Sequence, residues 1–265
     1  MKEHAISAAM KTDNPVQRLN LLREYVQAFI LRSFHESEAA KSIAFVGGTA
    51  LRFLENLPRF SEDLDFSLLS SESYEPVKWL DKLKRDLSLS GFESNIKWND
   101  RKTVQTAWVR IPSILSESGL SGLPGQNLSI KIKVDTRPPA GADIRRTVIT
   151  RHLTFVVSHY SIKSLMAGKI HALLTRPYCK GRDWYDLVWY RSHRPPLEPN
   201  IPMLQNALNQ TQGIGTMNAE NWRKIIRSKL DNLDNNILIE DVRAFLEHPD
   251  DARLLTRENL LLVLE

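Results

Sequence analysis

At 265 residues, 42% hydrophobic and 25% charged, the chain has the composition of a soluble globular protein and the length for one large or two modest domains. No apolar run approaches the ~20 residues that span a bilayer, the first residues (MKEHAISAAMKTDN) lack the apolar core of a secretion signal, and the single cysteine, Cys179, excludes an internal disulfide or a multi-cysteine zinc site. A cytoplasmic protein without membrane contact is expected, and the net charge of +5 permits nucleic-acid binding without requiring it.

Asp13 or Asn14 as N-cap, with Pro15 in the first turn, predicts a helix start. Leu19, Leu22, Val26, Phe29 and Ile30 follow at helical spacing and give it one buried face. The apolar run at 43–46 reads as a strand, 49–57 as a helix and 63–66 as a second strand. Residues 75–90 read as an amphipathic helix with Val77, Leu80, Leu83 and Leu87 inward, closed by Gly91. A strand pair is expected at 92–98 and 103–111, and a loop over 113–126. In 128–136, LSIKIKVDT, Leu128, Ile130, Ile132 and Val134 alternate with Ser129, Lys131, Lys133 and Asp135, which predicts a strand buried on one face. A short strand at 153–157 precedes a change of composition. Helices are then expected at 161–174, 203–210, 219–230, 238–246 and from Arg257. The boundary falls near residue 158, giving an α/β domain at 1–158 and a helical domain at 159–265.

The stretch FVGGTALRFLENLPRFSEDLDF carries the chemistry. Gly47-Gly48 lies at a strand-to-helix junction, where backbone can approach closely and the helix N-terminus offers free N–H groups to a phosphate. Thr49 adds a hydroxyl donor there. In Asp63-Leu64-Asp65-Phe66 the alternation puts both carboxylates on one strand face, ~7 Å apart. Like charges so placed repel, and a divalent cation offsets this: Mg²⁺ takes one or two carboxylates and completes its shell with water and phosphate oxygens.

These residues resemble the nucleotidyltransferase superfamily, in which Gly-Gly or Gly-Ser precedes a strand bearing Asp-x-Asp. The wording GGTALR followed by RFSEDLDF is similar to the AbiEii/AbiGii-type toxin family, whose relatives include the MenT toxins. The resemblance covers about residues 43–190. It implies an α/β (α+β) fold: a nucleotidyltransferase-type mixed sheet with flanking helices, plus a helical C-terminal domain that completes the active-site cleft. It implies transfer of a nucleoside monophosphate from an NTP, with Asp63, Asp65 and Asp135 as metal ligands around two Mg²⁺ ions, Mn²⁺ being an alternative. Gly47, Gly48 and Thr49 would grip the phosphates, and Lys169 and Arg52 would neutralise the leaving pyrophosphate. The expected acceptor is RNA, above all the tRNA 3′ end, and the expected regulator a cognate antitoxin protein. The plain alternative for Asp135 is that it opens the turn into Arg137-Pro138-Pro139.

The segment KSLMAGKIHALLTRPYCKGRDWYDLVWY is the second informative stretch. Lys169 sits mid-helix beside the apolar Leu165 and Leu173, so it either snorkels to the surface or reaches an anion. Asp183 lies where a carboxylate caps a helix start, and Asp186 is spaced to pair with Arg182. The family carries a lysine in the first of these helices and Arg-Asp, then Tyr-Asp-Leu, in the second. By that resemblance Lys169 contacts the triphosphate and Asp183 is an essential acid. Arg176, Lys180 and Arg182, with Arg145, Arg146 and Arg151 upstream, are candidate RNA phosphate contacts. Arg176, Lys180 and Arg182, in the same basic turn, also suggest a lowered pKa for Cys179. The seven histidines are scattered, with no H-E-x-x-H, and no G-x-S-x-G or P-loop is present. Two other readings stand beside the first: a nucleotidyltransferase that modifies a protein or small molecule, and an inactive fold used as a binding module.

Overall fold

The computed structural model describes residues 1–123 and 125–265, with Asn232 described by its backbone; Pro124, in the expected 113–126 loop, lies outside the described residues. The chain divides into two compact units.

Unit 1 comprises Met1–Asn56, Phe60–Arg137 and Arg145–His159. In order it carries α1 (Lys2–Ala9), α2 (Pro15–His35), α3 (Ala39–Ser42), β1 (Ile43–Val46), α4 (Gly47–Glu55), β2 (Leu64–Leu68) and α5 (Pro76–Leu89). There follow β3 (Asn95–Asn99), β4 (Val104–Ile111), α6 (Ile114–Glu117), β5 (Leu128–Asp135), β6 (Ile144–Ile149) and β7 (Phe155–Tyr160). The seven strands form one mixed sheet in the order β3-β4-β5-β2-β1-β7-β6. β1 is antiparallel to β2 and parallel to β7, and β2 is parallel to β5.

The expected alternation in β5 holds: Leu128, Ile130, Ile132 and Val134 are buried, and the residues between them are half-buried. In β2, Leu64 and Phe66 are buried on the same side of the strand. Burying each such side chain contributes ~1.5–3 kcal/mol, which fixes the register and so the placement of the polar face. Asn14 is the N-cap of α2, its side chain accepting from the amides of Val16 and Gln17. α5 differs from expectation at one residue. Val77 is exposed, and Trp79 is buried with Leu80, Leu83 and Leu87.

α2 and α4 share a buried ion pair. Arg52 Nε donates to Glu24 Oε2 at 2.5 Å, and both side chains are 3% exposed. His152 Nε2 lies 2.8 Å from Glu24 Oε1, and Arg151 reaches the same oxygen at 3.4 Å. Burial pushes the Glu24 carboxyl up, but the His152 hydrogen bond and the Arg52 and Arg151 charges outweigh it and lower it from 4.5 to about 2. A depressed carboxyl pKa stabilises the fold above the ordinary value and ceases to do so as pH falls through the folded one. Wild type is therefore expected to lose about 3 kcal/mol through Glu24 between pH 4.5 and 2. Glu24→Gln should start less stable at neutral pH and lose that much less across the window. Urea unfolding at stepped pH on both proteins measures the difference, and parallel pH curves would remove Glu24 from acid unfolding.

Unit 2 comprises Leu57–Arg59, Pro138–Ile144 and Tyr160–Glu265. From residue 162 onward it is helical: α7 (Ile162–Thr175), α8 (Gly181–Arg191), α9 (Ile201–Gln212), α10 (Trp222–Lys229), α11 (Asn235–Arg243) and α12 (Arg257–Leu262), joined by 3₁₀ turns and loops. Ser161 caps α7 by accepting from the Ser164 amide. α8 starts on Gly181 because a Cβ there would strike the Leu238 carbonyl of α11. Among the described residues no helix is long and apolar enough to cross a membrane.

Candidate active site

The end of β1 and the start of β2 place the glycine turn against the acidic pair. Val46 is paired with Asp65 across the antiparallel ladder, so Gly47, which opens α4, lies beside the Asp65 carboxylate. Gly47 has φ +82°, and a Cβ on it would lie 2.7 Å from Asp65 Oδ2. Only glycine meets both conditions, the left-handed conformation and the contact. Gly47→Ala is expected to cost ~1–3 kcal/mol of stability and to displace Asp65. A denaturant midpoint shift together with lost activity checks this; an unchanged midpoint would show that Asp65 yields without strain.

Thr49 and Gln27 hold the segment that leads into Asp63. The Thr49 hydroxyl, wholly buried, donates to the Asp63 carbonyl. Its single hydrogen is therefore used within the protein, where the sequence suggested a phosphate. The buried Gln27 amide donates to the carbonyls of Ser61 at 3.0 Å and Glu62 at 2.9 Å. Gln27 had no signature in the sequence, since its partners are more than thirty residues away. No side chain caps α4, as Val46 occupies the N-cap. The first-turn amides of that helix offer a positive end to an anion.

Lys133 joins the acidic pair. β2 and β5 run parallel with Asp65 opposite Lys133. The Lys133 ammonium pairs with Asp63 and lies 3.3 Å from Asp65 Oδ1. Burial pulls Lys133 down, but the charges of Asp65 and Asp63 and their hydrogen bonds outweigh it and hold the ammonium above its ordinary value. Lys131, two residues back, lies over the Trp108 ring at 5.2 Å.

Asp135 does not join the pair. It is opposite Ser67, one pleat beyond Lys133 on the same face, and its Oδ1 accepts from the Arg137 amide at 2.9 Å. Among the described residues no three His, Cys, Asp or Glu side chains gather in a metal-holding group. The expected three-carboxylate set thus reduces to Asp63 and Asp65, and Asp135 opens the turn. The remaining donor set suits a hard divalent ion: two carboxylates about one-third exposed, beside an uncapped helix N-terminus. Arg52 is not at this site; it is buried against Glu24 and over the Phe60 ring at 4.4 Å.

The second cluster lies within unit 2. Lys169 Nζ is 3.0 Å from Asp183 Oδ1 and 2.7 Å from Asp186 Oδ2. Arg176 pairs with Asp183. Arg59 grips Asp186 with two bonds of 2.6 Å. Lys169 therefore reaches anions, as one of its two sequence readings required, and those anions belong to its own unit. Asp186 pairs with Arg59 and Lys169, where Arg182 was the expected partner. The Arg182 guanidinium is stacked 4.0 Å over Phe245. Lys180 is half-buried, and burial together with the Arg182 charge lowers its pKa. Around Cys179, desolvation of the sulfur pushes the thiol up in spite of the Trp184 Nε1 hydrogen bond at 3.0 Å and the Lys229 charge, the reverse of the sequence expectation.

A mixed sheet with a Gly-Gly turn set against Asp-x-Asp defines a nucleotidyltransferase-type protein. Two solved structures share the fold. One is a protein of H. pylori assigned as a nucleotidyltransferase, with TM-score 0.58, 18% identity, and 92% of this chain and 93% of that one covered. The other is JHP933 from Helicobacter pylori, with TM-score 0.52, 18% identity, and 92% and 90% covered. At that identity the likeness shows the fold alone. The sequence is more specific: the family model described as nucleotidyl transferase AbiEii toxin, type IV TA system, matches residues 29–259. The chain belongs to that family. No curated protein matches it significantly.

Proposed function

We propose that this protein transfers a nucleoside monophosphate from an NTP to an RNA acceptor, with the 3′ end of tRNA as the favoured substrate, and acts in the cytoplasm as the toxin of a pair restrained by a cognate antitoxin. The observation that carries the reading is the seating of Gly47 against Asp65, with Asp63 held by Thr49, inside the AbiEii match. Asp63 and Asp65 would hold one Mg²⁺, or Mn²⁺ in its place. Held there, the ion would supply positive charge against the negative charge that builds during transfer. The α4 N-terminus would bind phosphate through its amides, and Gly47 admits the Asp65 carboxylate beside it. The acceptor hydroxyl oxygen bonds to the α-phosphorus, the α–β bond breaks, pyrophosphate leaves, and the hydroxyl proton passes to solvent. The contributions of Asp63 and Asp65 are positioning and electrostatics.

The parts of Lys169 and Asp183 in the reaction rest on the family resemblance, and their mutual ion pair supports a positioning role. Exposed Arg145 and Arg146 on β6 support RNA phosphate contact. Incubating the protein with each labelled NTP, Mg²⁺ and total RNA tests the reading. Label in tRNA is expected. Label in protein or in a small molecule would redirect the acceptor, and no label from any NTP would leave a binding module.

A further inference from the structure

Lys133 is a cation built into the acidic pair. It stands across from Asp65 on the neighbouring parallel strand, and its ammonium contacts Asp63 and Asp65 together. Among the described residues the ammonium has no hydrogen-bond partner besides these two carboxylates. The side chain is 29% exposed, so it has a way out to solvent. A divalent ion on the same two carboxylates needs both the space and the negative charge that this ammonium already has. Two cations on one carboxylate pair repel strongly at that range. The ion binds only if Lys133 leaves, and a free ion offers Lys133 no anion in exchange.

A nucleoside triphosphate changes that balance. It brings several negative charges beside the α4 N-terminus, and a lysine ammonium is a compact point charge suited to a phosphate oxygen. We infer that Lys133 is a resident counter-cation that keeps Asp63 and Asp65 from holding a free divalent ion, so that the ion enters together with the nucleotide triphosphate. The inference rests on the reading of Asp63 and Asp65 as the metal clamp. It explains why an acidic pair on one strand face is kept without a third carboxylate: between uses, Lys133 offsets half of its charge. It also gives a use to the residue directly across from Asp65, where a metal centre would be better served by another acid.

The test measures metal binding, independent of turnover. Mn²⁺ affinity is read by calorimetry and electron paramagnetic resonance on the full chain, with and without a non-hydrolysable NTP analogue. Wild type and Lys133→Arg should bind free Mn²⁺ at least about tenfold more weakly than Lys133→Met, because only the first two keep the competing charge. Lys133→Glu, which supplies a third carboxylate, should bind more tightly still. The analogue should close the gap between wild type and Lys133→Met. In thermal unfolding, Mn²⁺ alone should stabilise Lys133→Met and Lys133→Glu and leave wild type unmoved, and Lys133→Gln replaces the methionine variant if that chain does not fold. Equal free-Mn²⁺ affinity in wild type and the neutral variant would overturn the inference and leave the clamp standing. No Mn²⁺ binding by any variant, even with the analogue, would remove the clamp itself.

Discussion

Asp65→Ala is expected to abolish nucleotide transfer and to leave the chain folded. Asp65 is the carboxylate that the glycine turn addresses directly, being paired in register with Val46 and nearest to Gly47. If Asp63 and Asp65 hold a divalent ion, as proposed, the variant keeps a single carboxylate, too little to hold the ion against water. A loss of at least about a thousandfold, ~4 kcal/mol of transition-state stabilisation, follows if the metal carries the charge of the transferred group. The stability change should be small. Read from the sequence, two like charges on one strand repel, and losing one would steady the fold. Lys133 alters that expectation, because it already bridges the two carboxylates, offsetting half of their charge, and would keep Asp63 as its partner. A partly exposed ion pair is worth about 1 kcal/mol or less, so the midpoint should move little in either direction. Labelled NMP incorporation and a thermal melt on the one variant decide the matter. Near-native transfer by a folded Asp65→Ala protein would take Asp65 out of the reaction.

What the sequence made legible was local. The Gly-Gly turn, the alternation around Asp63 and Asp65, the Asn14 cap and the two-faced strand at Leu128–Asp135 all depend on neighbours a few residues apart. The features it hid are set by pairing between distant segments. Lys133 reads as an ordinary solvated residue of an alternating strand until β5 is laid parallel to β2, seventy residues away. Arg52 reads as a phosphate contact because its partner Glu24 is on another helix. Asp135 shares a face with Lys133 but lies one pleat too far along to meet Asp63, which no count within a single strand reveals. β6 is not legible in the sequence because Ile144–Ile149 is exposed on both faces except at Ile149 and carries no period-two pattern. Arg59 gives no signal in the sequence: it comes just after α4 in a turn-like stretch, and only the fold joins it to Asp186.

That pairing sets the largest stability effect expected from a single substitution. Asp186 is wholly buried, accepts two bonds from an Arg59 that is itself 2% exposed, and lies 2.7 Å from Lys169. Burial alone pushes the Asp186 carboxyl up, yet the charges of Arg59 and Lys169 and their hydrogen bonds outweigh it and hold the carboxyl below its ordinary value. Asp186→Ala takes from a buried guanidinium the carboxylate that accepts two of its bonds, the kind of change that costs ~3–5 kcal/mol. Lys169→Met should cost less, ~1–3 kcal/mol, because Asp186 keeps Arg59 and Asp183 keeps Arg176. Asp186→Asn separates charge from shape. A depressed carboxyl pKa stabilises the folded state above the ordinary value of 3.8 and loses that contribution as pH falls below it. The asparagine variant should therefore be less stable than wild type near neutrality and approach it in acid. Urea unfolding of the three variants at pH 7 and near pH 3 tests both parts. A cost below about 1 kcal/mol for Asp186→Ala would mean that the buried pair is no better than its apolar replacement, and the cluster would then not be what holds α7 to α8.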